Sequence, residues 1–295
     1  MNTQKLIHKL NIYERLMRLD KPIGILLLLW PTLWALLIAG QGQPNIVIVL
    51  IFVTGTVLMR SAGCVLNDIA DSRFDGFVSR TQTRPLANHE IHKKEAYLLA
   101  LVLSLVAFGL VSQLNGFTIK LSIAAMLLAA SYPYTKRFLA IPQAYLGIAF
   151  SFGIPMAFAA IMNYLPPICW LLLAANIFWV IAYDTEYAME DREDDIKLGL
   201  RSSAITFGRL DVTAIMLCYV LSLILLAISG KWLLMGWGFF TGLALASAIV
   251  IHHYFLIRHR EPSKCFQAFL GNNWYGFAIF AGIGVEYLLR FFKVV

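Results

Sequence analysis

Residues 46–75 read IVIVLIFVTGTVLMRSAGCVLNDIADSRFD, and the reading of this stretch decides the class of fold. Residues 46–66 are apolar apart from Thr54, Thr56, Arg60 and Ser61. As a helix they are long enough to cross the hydrocarbon core of a bilayer, which takes about 20 residues. Directly after them come Asn67, Asp71 and Asp75 at successive i, i+4 spacings, which a helix places on one face. Ionisable groups attached to a membrane span usually carry a function.

The rest of the chain repeats the apolar part of that pattern. Of its 295 residues 59% are hydrophobic and 14% charged, with a mean hydropathy of +0.71, against about 25% charged in a soluble domain. Further apolar stretches occupy residues 23–39, 96–111, 119–132, 141–161, 168–183, 212–228, 232–251 and 272–289. Pro22, Pro44, Pro142 and Pro167 stand at or near their starts, where a missing N–H does no harm to a helix. The expected fold is therefore all-α, a polytopic membrane helical bundle of about nine transmembrane helices. The longest interval between apolar stretches, residues 67–94, is too short for a core of its own, so residues 1–295 are expected to form a single membrane-embedded domain.

Positive charge orients the bundle, because cytoplasmic loops carry the excess of Lys and Arg. Numbering the connections alternately puts 20 of the 24 basic residues on the side of the N-terminus and leaves Lys120, Lys231, Arg290 and Lys293 on the other. The N-terminus and nearly all carboxylates are thus expected in the cytosol, as for a bacterial inner-membrane protein. Residues 1–22 are basic and amphipathic, without an apolar run leading to a small-residue cleavage site. They are expected to stay attached as a cytosolic segment lying on the membrane surface.

Several features have plain readings. A net charge of +7 would suit nucleic acid, but the basic residues sit in short loops between spans, so no nucleic-acid partner is expected. Cys64, Cys169, Cys218 and Cys265 form no CxxC pair and read as packed thiols. Trp30, Trp34, Trp170, Trp232 and Trp274 lie near span ends and read as interfacial anchors. His252, His253 and His259 fall in a basic juxtamembrane segment and read as a solvated loop, and the GxxxG spacing of Gly238 and Gly242 reads as close helix packing.

A second acidic cluster matches the first. Residues 183–195 read YDTEYAMEDREDD, with Tyr187, Asp191 and Asp195 at the same spacing after another apolar stretch. Asp71 and Asp191, like Asp75 and Asp195, are 120 residues apart, which hints at a repeated four-helix unit. Carboxylates at the C-terminal end of a helix face the negative end of its dipole, and like charges at i, i+4 repel. Mg²⁺ answers both, since it takes one or two carboxylates and completes its shell with water and phosphate oxygens. One ion in each cluster would make a diphosphate clamp. Lys136 and Arg137 in SYPYTKR, Arg73, and Arg84 in RTQTRPL could then meet the remaining phosphate oxygens.

Taken together, these motifs resemble the UbiA superfamily of intramembrane prenyltransferases: NDxxDxxxD at Asn67, DxxxD at Asp191, DKPIG at Asp20, LLLWPTLWAL at Leu27, RTQTRPLA at Arg80 and KLGLRSSAITFG at Lys197. The resemblance runs over roughly the first 210 residues. It implies helices around a central cavity with the aspartates at its mouth and a lateral opening to lipid. It also implies transfer of a polyprenyl group from polyprenyl diphosphate to the ring carbon ortho to the hydroxyl of 4-hydroxybenzoate, as in ubiquinone biosynthesis. Asn67, Asp71, Asp75, Asp191 and Asp195 fall on the metal positions, the four aspartates being the catalytic set, and Tyr132 with Lys136 fits a YxxxK element. Asp68 and Asp184 would support them, and Arg137, then Arg60, would hold a phosphate or the benzoate carboxylate. Two rivals stay open: a sibling transferase acting on a naphthoate, a haem or a chlorophyllide, and a cation transporter whose pathway the carboxylates line.

Overall fold

A computed structural model describes residues 3–72, 76, 81–135 and 137–292. An amphipathic helix, α1 (Thr3–Leu16), leads into α2 (Ile23–Ala39), α3 (Ile46–Asp71), α4 (Lys93–Val111) and α5 (Gly116–Thr135). The broken pair α6 (Pro142–Ser151) and α7 (Gly153–Met162) follows, then α8 (Pro167–Glu190), the short α9 (Arg192–Lys197) and α10 (Ser203–Phe207), and α11 (Asp211–Trp232), α12 (Trp237–Ile257) and α13 (Pro262–Phe291). No strand occurs among the described residues.

Each of the nine apolar stretches coincides with one long helix or with the α6–α7 pair. Seven helical segments are long and apolar enough to cross a membrane, α2 is shorter at 17 residues, and α13 is long but more polar. Consecutive helices pack side by side around a ring that α13 closes against α2, and α8 crosses it to meet α13. The contact between α4 and α5 is among the weakest in that ring. The packing of α3 on α4 is matched by that of α8 on α11, as a repeated unit requires.

Local chemistry sets the boundaries. Asn45 caps α3 by accepting from the Val47 N–H at 2.8 Å, and Pro142, Pro167 and Pro262 open α6, α8 and α13. The fifth apolar stretch is two helices rather than the single one expected, divided at Phe152, where α7 lies so close to α2 that a Cβ on Gly153 would sit 2.2 Å from Thr32 Oγ1. The GxxxG reading holds: a Cβ on Gly242 would stand 2.5 Å from the Ala278 carbonyl oxygen and 2.8 Å from Gly282 Cα.

Two expectations need correction. Trp34 is no interfacial anchor, because it is 1% exposed, stacks on Trp179 at 5.4 Å and donates to the Gly276 carbonyl at 3.0 Å. Trp170, Trp232 and Trp274 are exposed, as anchors should be. His253 is buried on α12 instead of solvated, its Nδ1 3.1 Å from the Tyr219 hydroxyl.

The N-terminal segment does more than lie on a surface. Ile12 and Leu16 are buried with Val65, Ile69 and Ala96 of α3 and α4, while Leu6, Ile7 and Leu10 stay exposed on the other face. Arg15 pairs with Glu90, and Lys9 with Glu95 at 2.7 Å. The Arg15 guanidinium holds the Glu90 carboxyl below the usual carboxylate range. That contribution is present above the ordinary glutamate value and is lost as the pH falls through the lowered one.

The α12–α13 seam gives a stability test. Gly242→Ala forces its Cβ against backbone that cannot rotate away, and overpacking typically costs about 1–3 kcal/mol, so the melting temperature in detergent should fall. Gly109→Ala in α4 meets nothing within 4 Å and should leave it unchanged or raise it.

Candidate active site

A cavity of about 350 Å³ opens between α2, α3, α4, α5, α6 and α8. Along α3 its lining runs from Ile51 to Asp68, about 25 Å of helix. The part away from the acidic motifs is predominantly apolar, with Leu27, Phe52, Phe108, Val111, Met126 and Met156 in its wall beside the hydroxyls of Thr32, Thr56, Ser104 and Ser122. The other end is polar: Arg18, Arg60, Asn67, Asp68, Arg84, Tyr132, Asp184 and Tyr187 all line it.

The first acidic motif is helical as far as it is described. α3 continues past the apolar stretch to Asp71, and Asn67 Nδ2 donates to Asp71 Oδ2 at 3.2 Å. Asp75, Arg73 and Lys136 lie outside the described residues. Asp68 points elsewhere: it is 1% exposed and receives Arg18 Nη2 at 3.0 Å and Arg84 Nη1 at 3.2 Å. Arg84 is therefore at the polar end, as expected, but shared with a carboxylate. Arg18, which sequence reasoning missed, arrives from the turn after α1 on a left-handed residue with φ of 58°. Its place just before DKPIG was the available signal.

The second motif is not one continuous helix. α8 ends at Glu190, Asp191 is the joint, and Asp195 belongs to α9, though the Asp195 N–H still donates to the Asp191 carbonyl at 2.9 Å. The break relieves the dipole problem on which the sequence argument rested. Glu193, Asp194 and Asp195 occupy the first turn of α9, where negative charge is favoured. Asp191 and Asp195 are half-buried. Among the described residues no three His, Cys, Asp or Glu side chains converge on one point. Paired carboxylates completed by ligand oxygens remain within the chemistry of a hard divalent cation.

Arg60 and Arg137 separate clearly. Arg137 is exposed near the end of α3, with Nη2 3.4 Å from the Ala70 carbonyl and its guanidinium 5.4 Å from the Tyr134 ring. Arg60 reaches into the cavity, lies 5.4 Å from the Phe150 ring centroid, and keeps a buried Nε without a hydrogen-bond partner among the described residues. Gly24 of the DKPIG motif makes the room: a Cβ there would be 2.5 Å from Arg60 Nη2.

Behind the α8 wall is a network that no motif announced. The Tyr219 hydroxyl lies 2.9 Å from Glu186 Oε1 and 2.9 Å from Asn272 Oδ1, Asn272 Nδ2 donates to Glu186 Oε2 at 2.8 Å, and Trp179 Nε1 donates to Asn272 Oδ1 at 2.7 Å. All four side chains are at most 1% exposed.

A long apolar chamber closed at one end by cations and acidic helix ends defines a membrane-embedded site for an amphiphile with an anionic head. Residues 28–278 match the model of the UbiA prenyltransferase family. The chain is 61% identical to the 4-hydroxybenzoate octaprenyltransferase of Methylobacillus flagellatus over 96% of each chain, and 59% identical to that of an Azoarcus species over 95% of this chain and 98% of the other. It belongs to the UbiA prenyltransferase family. Among solved structures it resembles the apo UbiA homologue of Aeropyrum pernix, with a TM-score of 0.77, 24% identity, and 88% and 97% of the two chains covered. It also resembles the Archaeoglobus fulgidus homologue bound to GPP and Mg²⁺, with a TM-score of 0.67, 18% identity, and 91% and 99% covered. These two likenesses speak to the fold.

Asp68 provides a test of the polar end. Removing one partner of a buried ion pair typically costs about 3–5 kcal/mol, so Asp68→Ala, which takes the shared carboxylate from Arg18 and Arg84, should lower the melting temperature markedly. Lys264→Ala, which breaks an exposed pair with Glu261, should not move it.

Proposed function

We infer that this chain is a Mg²⁺-dependent prenyltransferase that moves a polyprenyl group from polyprenyl diphosphate to the ring carbon ortho to the hydroxyl of 4-hydroxybenzoate, as in ubiquinone biosynthesis. The observation that carries this reading is the 61% identity to a 4-hydroxybenzoate octaprenyltransferase over 96% of both chains. The cavity supports it, offering apolar wall for a tail and polar groups for a charged head.

In this reading Asn67 and Asp71 at the end of α3, with Asp75 of the same motif outside the described residues, and Asp191 and Asp195 across the α8–α9 joint, would hold Mg²⁺. The donor set fits, because amide and carboxylate oxygens are the hard ligands that this ion prefers. Bound Mg²⁺ would neutralise charge gathering on the diphosphate oxygens. Arg84, with Arg73, Lys136 and Arg137, adds donors to the same phosphates. The allylic C–O bond breaks with its electrons leaving on diphosphate, the ortho carbon attacks the allylic cation, and loss of the ring proton restores aromaticity. Leu27, Phe52 and Phe108 offer apolar wall to the prenyl tail, while Met59, beside Arg60 in the wall, helps keep water from that cation. Tyr132 lines the wall beside it. Arg60 holds the acceptor carboxylate, supported by its depth in the cavity and its unpartnered Nε.

The transporter rival is less favoured, since a cation pathway needs polar groups along its depth and the wall beyond Arg60 is predominantly apolar. The single membrane domain, the bacterial inner membrane, and a cytosolic N-terminus and cavity mouth belong to the same proposal and rest on the asymmetry of Lys and Arg.

Membranes containing the chain, given 4-hydroxybenzoate, a polyprenyl diphosphate and Mg²⁺, should form the prenylated acid; product from a dihydroxynaphthoate alone would reassign the acceptor. Asp71→Asn and Asp191→Asn should each cut turnover by about 100-fold or more, the scale of several kcal/mol of lost metal stabilisation, with melting temperature retained. An alkaline phosphatase fusion after Val295 should be active and one after Arg201 inactive. Activity after Arg201 would reverse the orientation.

A further inference from the structure

Two groups lining the cavity have a buried polar atom without a hydrogen-bond partner among the described residues: the Nε of Arg60 and the hydroxyl of Tyr183. Arg60 has its place in the proposed function. Tyr183 does not, and it belongs to neither acidic motif. A buried hydroxyl is normally hydrogen-bonded, so one left open in a cavity wall points to what the cavity receives.

Tyr183 is 1% exposed, and its ring is fixed by Trp179 at 5.4 Å and 82° and by Phe269 at 6.1 Å and 60°. Neither neighbour offers the hydroxyl an acceptor, and the packing prevents it from swinging to find one. Arg60 is equally confined, between Phe150 and Gly24. In the register that pairs Asp71 with Asp191, Arg60 precedes Asp71 by about 16 Å of α3 and Tyr183 precedes Asp191 by about 12 Å of α8, so Tyr183 sits about one turn nearer the mouth. Both donors therefore sit deeper than the acidic motifs, on two of the helices that line the cavity. In a 4-hydroxybenzoate whose reactive carbon faces the diphosphate, the carboxylate is meta to that carbon and points obliquely away from that end. A carboxylate has two oxygens, and the wall presents one N–H donor set and one O–H.

We propose that Tyr183 is a specificity-determining residue for the acceptor, its hydroxyl donating to one carboxylate oxygen while Arg60 pairs with the other. This rests on the acceptor assigned above. A site built around such a donor rejects analogues that lack the matching acceptor, because its polar groups are then left unpaired.

Tyr183→Phe keeps the ring contacts and removes only the hydroxyl. Because that hydroxyl has no internal partner, the melting temperature of the substrate-free protein should stay the same or rise, whereas a structural hydrogen bond would make it fall. kcat/KM for 4-hydroxybenzoate should drop about tenfold to two-hundredfold, the loss expected for one hydrogen bond to a charged group. Methyl 4-hydroxybenzoate, a neutral ester, should lose about twofold to tenfold and less than the acid does, since a hydrogen bond to a neutral acceptor is the weaker kind. The KM for the prenyl diphosphate should not move. Equal losses for acid and ester, or no loss for the acid, would overturn the proposal while the assigned reaction stands. A wild-type protein that neither binds 4-hydroxybenzoate by calorimetry nor prenylates it would overturn the assigned reaction, and this proposal with it.

Discussion

Hydrocarbon offers the Glu186 carboxylate no partner, and a carboxylate buried without partners is too costly to persist. Its oxygens are met from two other helices, by the Tyr219 hydroxyl of α11 and the Asn272 amide of α13, with His253 of α12 3.5 Å away. Asn272 is held in turn by the indole of Trp179, two turns back on α8. Four helices thus converge on one side chain, and the helix that carries it also presents Tyr183, Asp184 and Tyr187 to the cavity. Greasy surfaces slide against one another at little cost within a bilayer, since lipid tails are as apolar as the side chains they replace. Directional hydrogen bonds fix the rotation of α8 about its axis, and with it which residues look into the chamber.

The acidic end follows a related rule twice. Asp68, 1% exposed, is paired with Arg18 and Arg84, and Asp211, fully buried, with Arg192 and Arg260. In both halves a buried aspartate collects guanidinium groups from segments distant in sequence, one of them in a connection following the acidic helix. The result is a local excess of positive charge beside carboxylates that would otherwise repel one another. Through Arg18 the N-terminal segment becomes part of the cavity wall rather than a free surface helix. A long guanidinium with five donors suits this sharing, because it can give two N–H groups to Asp68 and still present others.

Membrane spans were legible because hydrophobic length is a property of composition, and the acidic motifs because their spacing is local. What escaped notice depends on contacts between distant segments. His253 has the same neighbours in sequence whether it faces water or Tyr219, and only the packing of α12 against α11 and α13 decides between them. Trp34 sits one turn from a span end yet faces inward onto Trp179. The joint at Asp191 was hidden for another reason: six acidic residues among positions 186–195 keep helical spacing, while the dipole cost of continuing α8 favours a restart.

Arg60 shows why a residue that looks misplaced in the quoted stretch is the one around which the inner edge of the cavity's polar end is built. A lysine there could lower its charge by shedding a proton, whereas a guanidinium cannot, so the position stays cationic at any depth. Its planar group fits the flat gap between the Phe150 ring and the bare backbone of Gly24. The glycine therefore matters less for freedom of the chain than for the absence of a methyl group. The DKPIG motif at the start of α2 and the RSAGC run of α3, 36 residues apart at Gly24 and Arg60, are two halves of a single contact. With the charge fixed in position and its Nε without a hydrogen-bond partner among the described residues, the inner edge of the chamber's polar end keeps a donor for the acceptor proposed above.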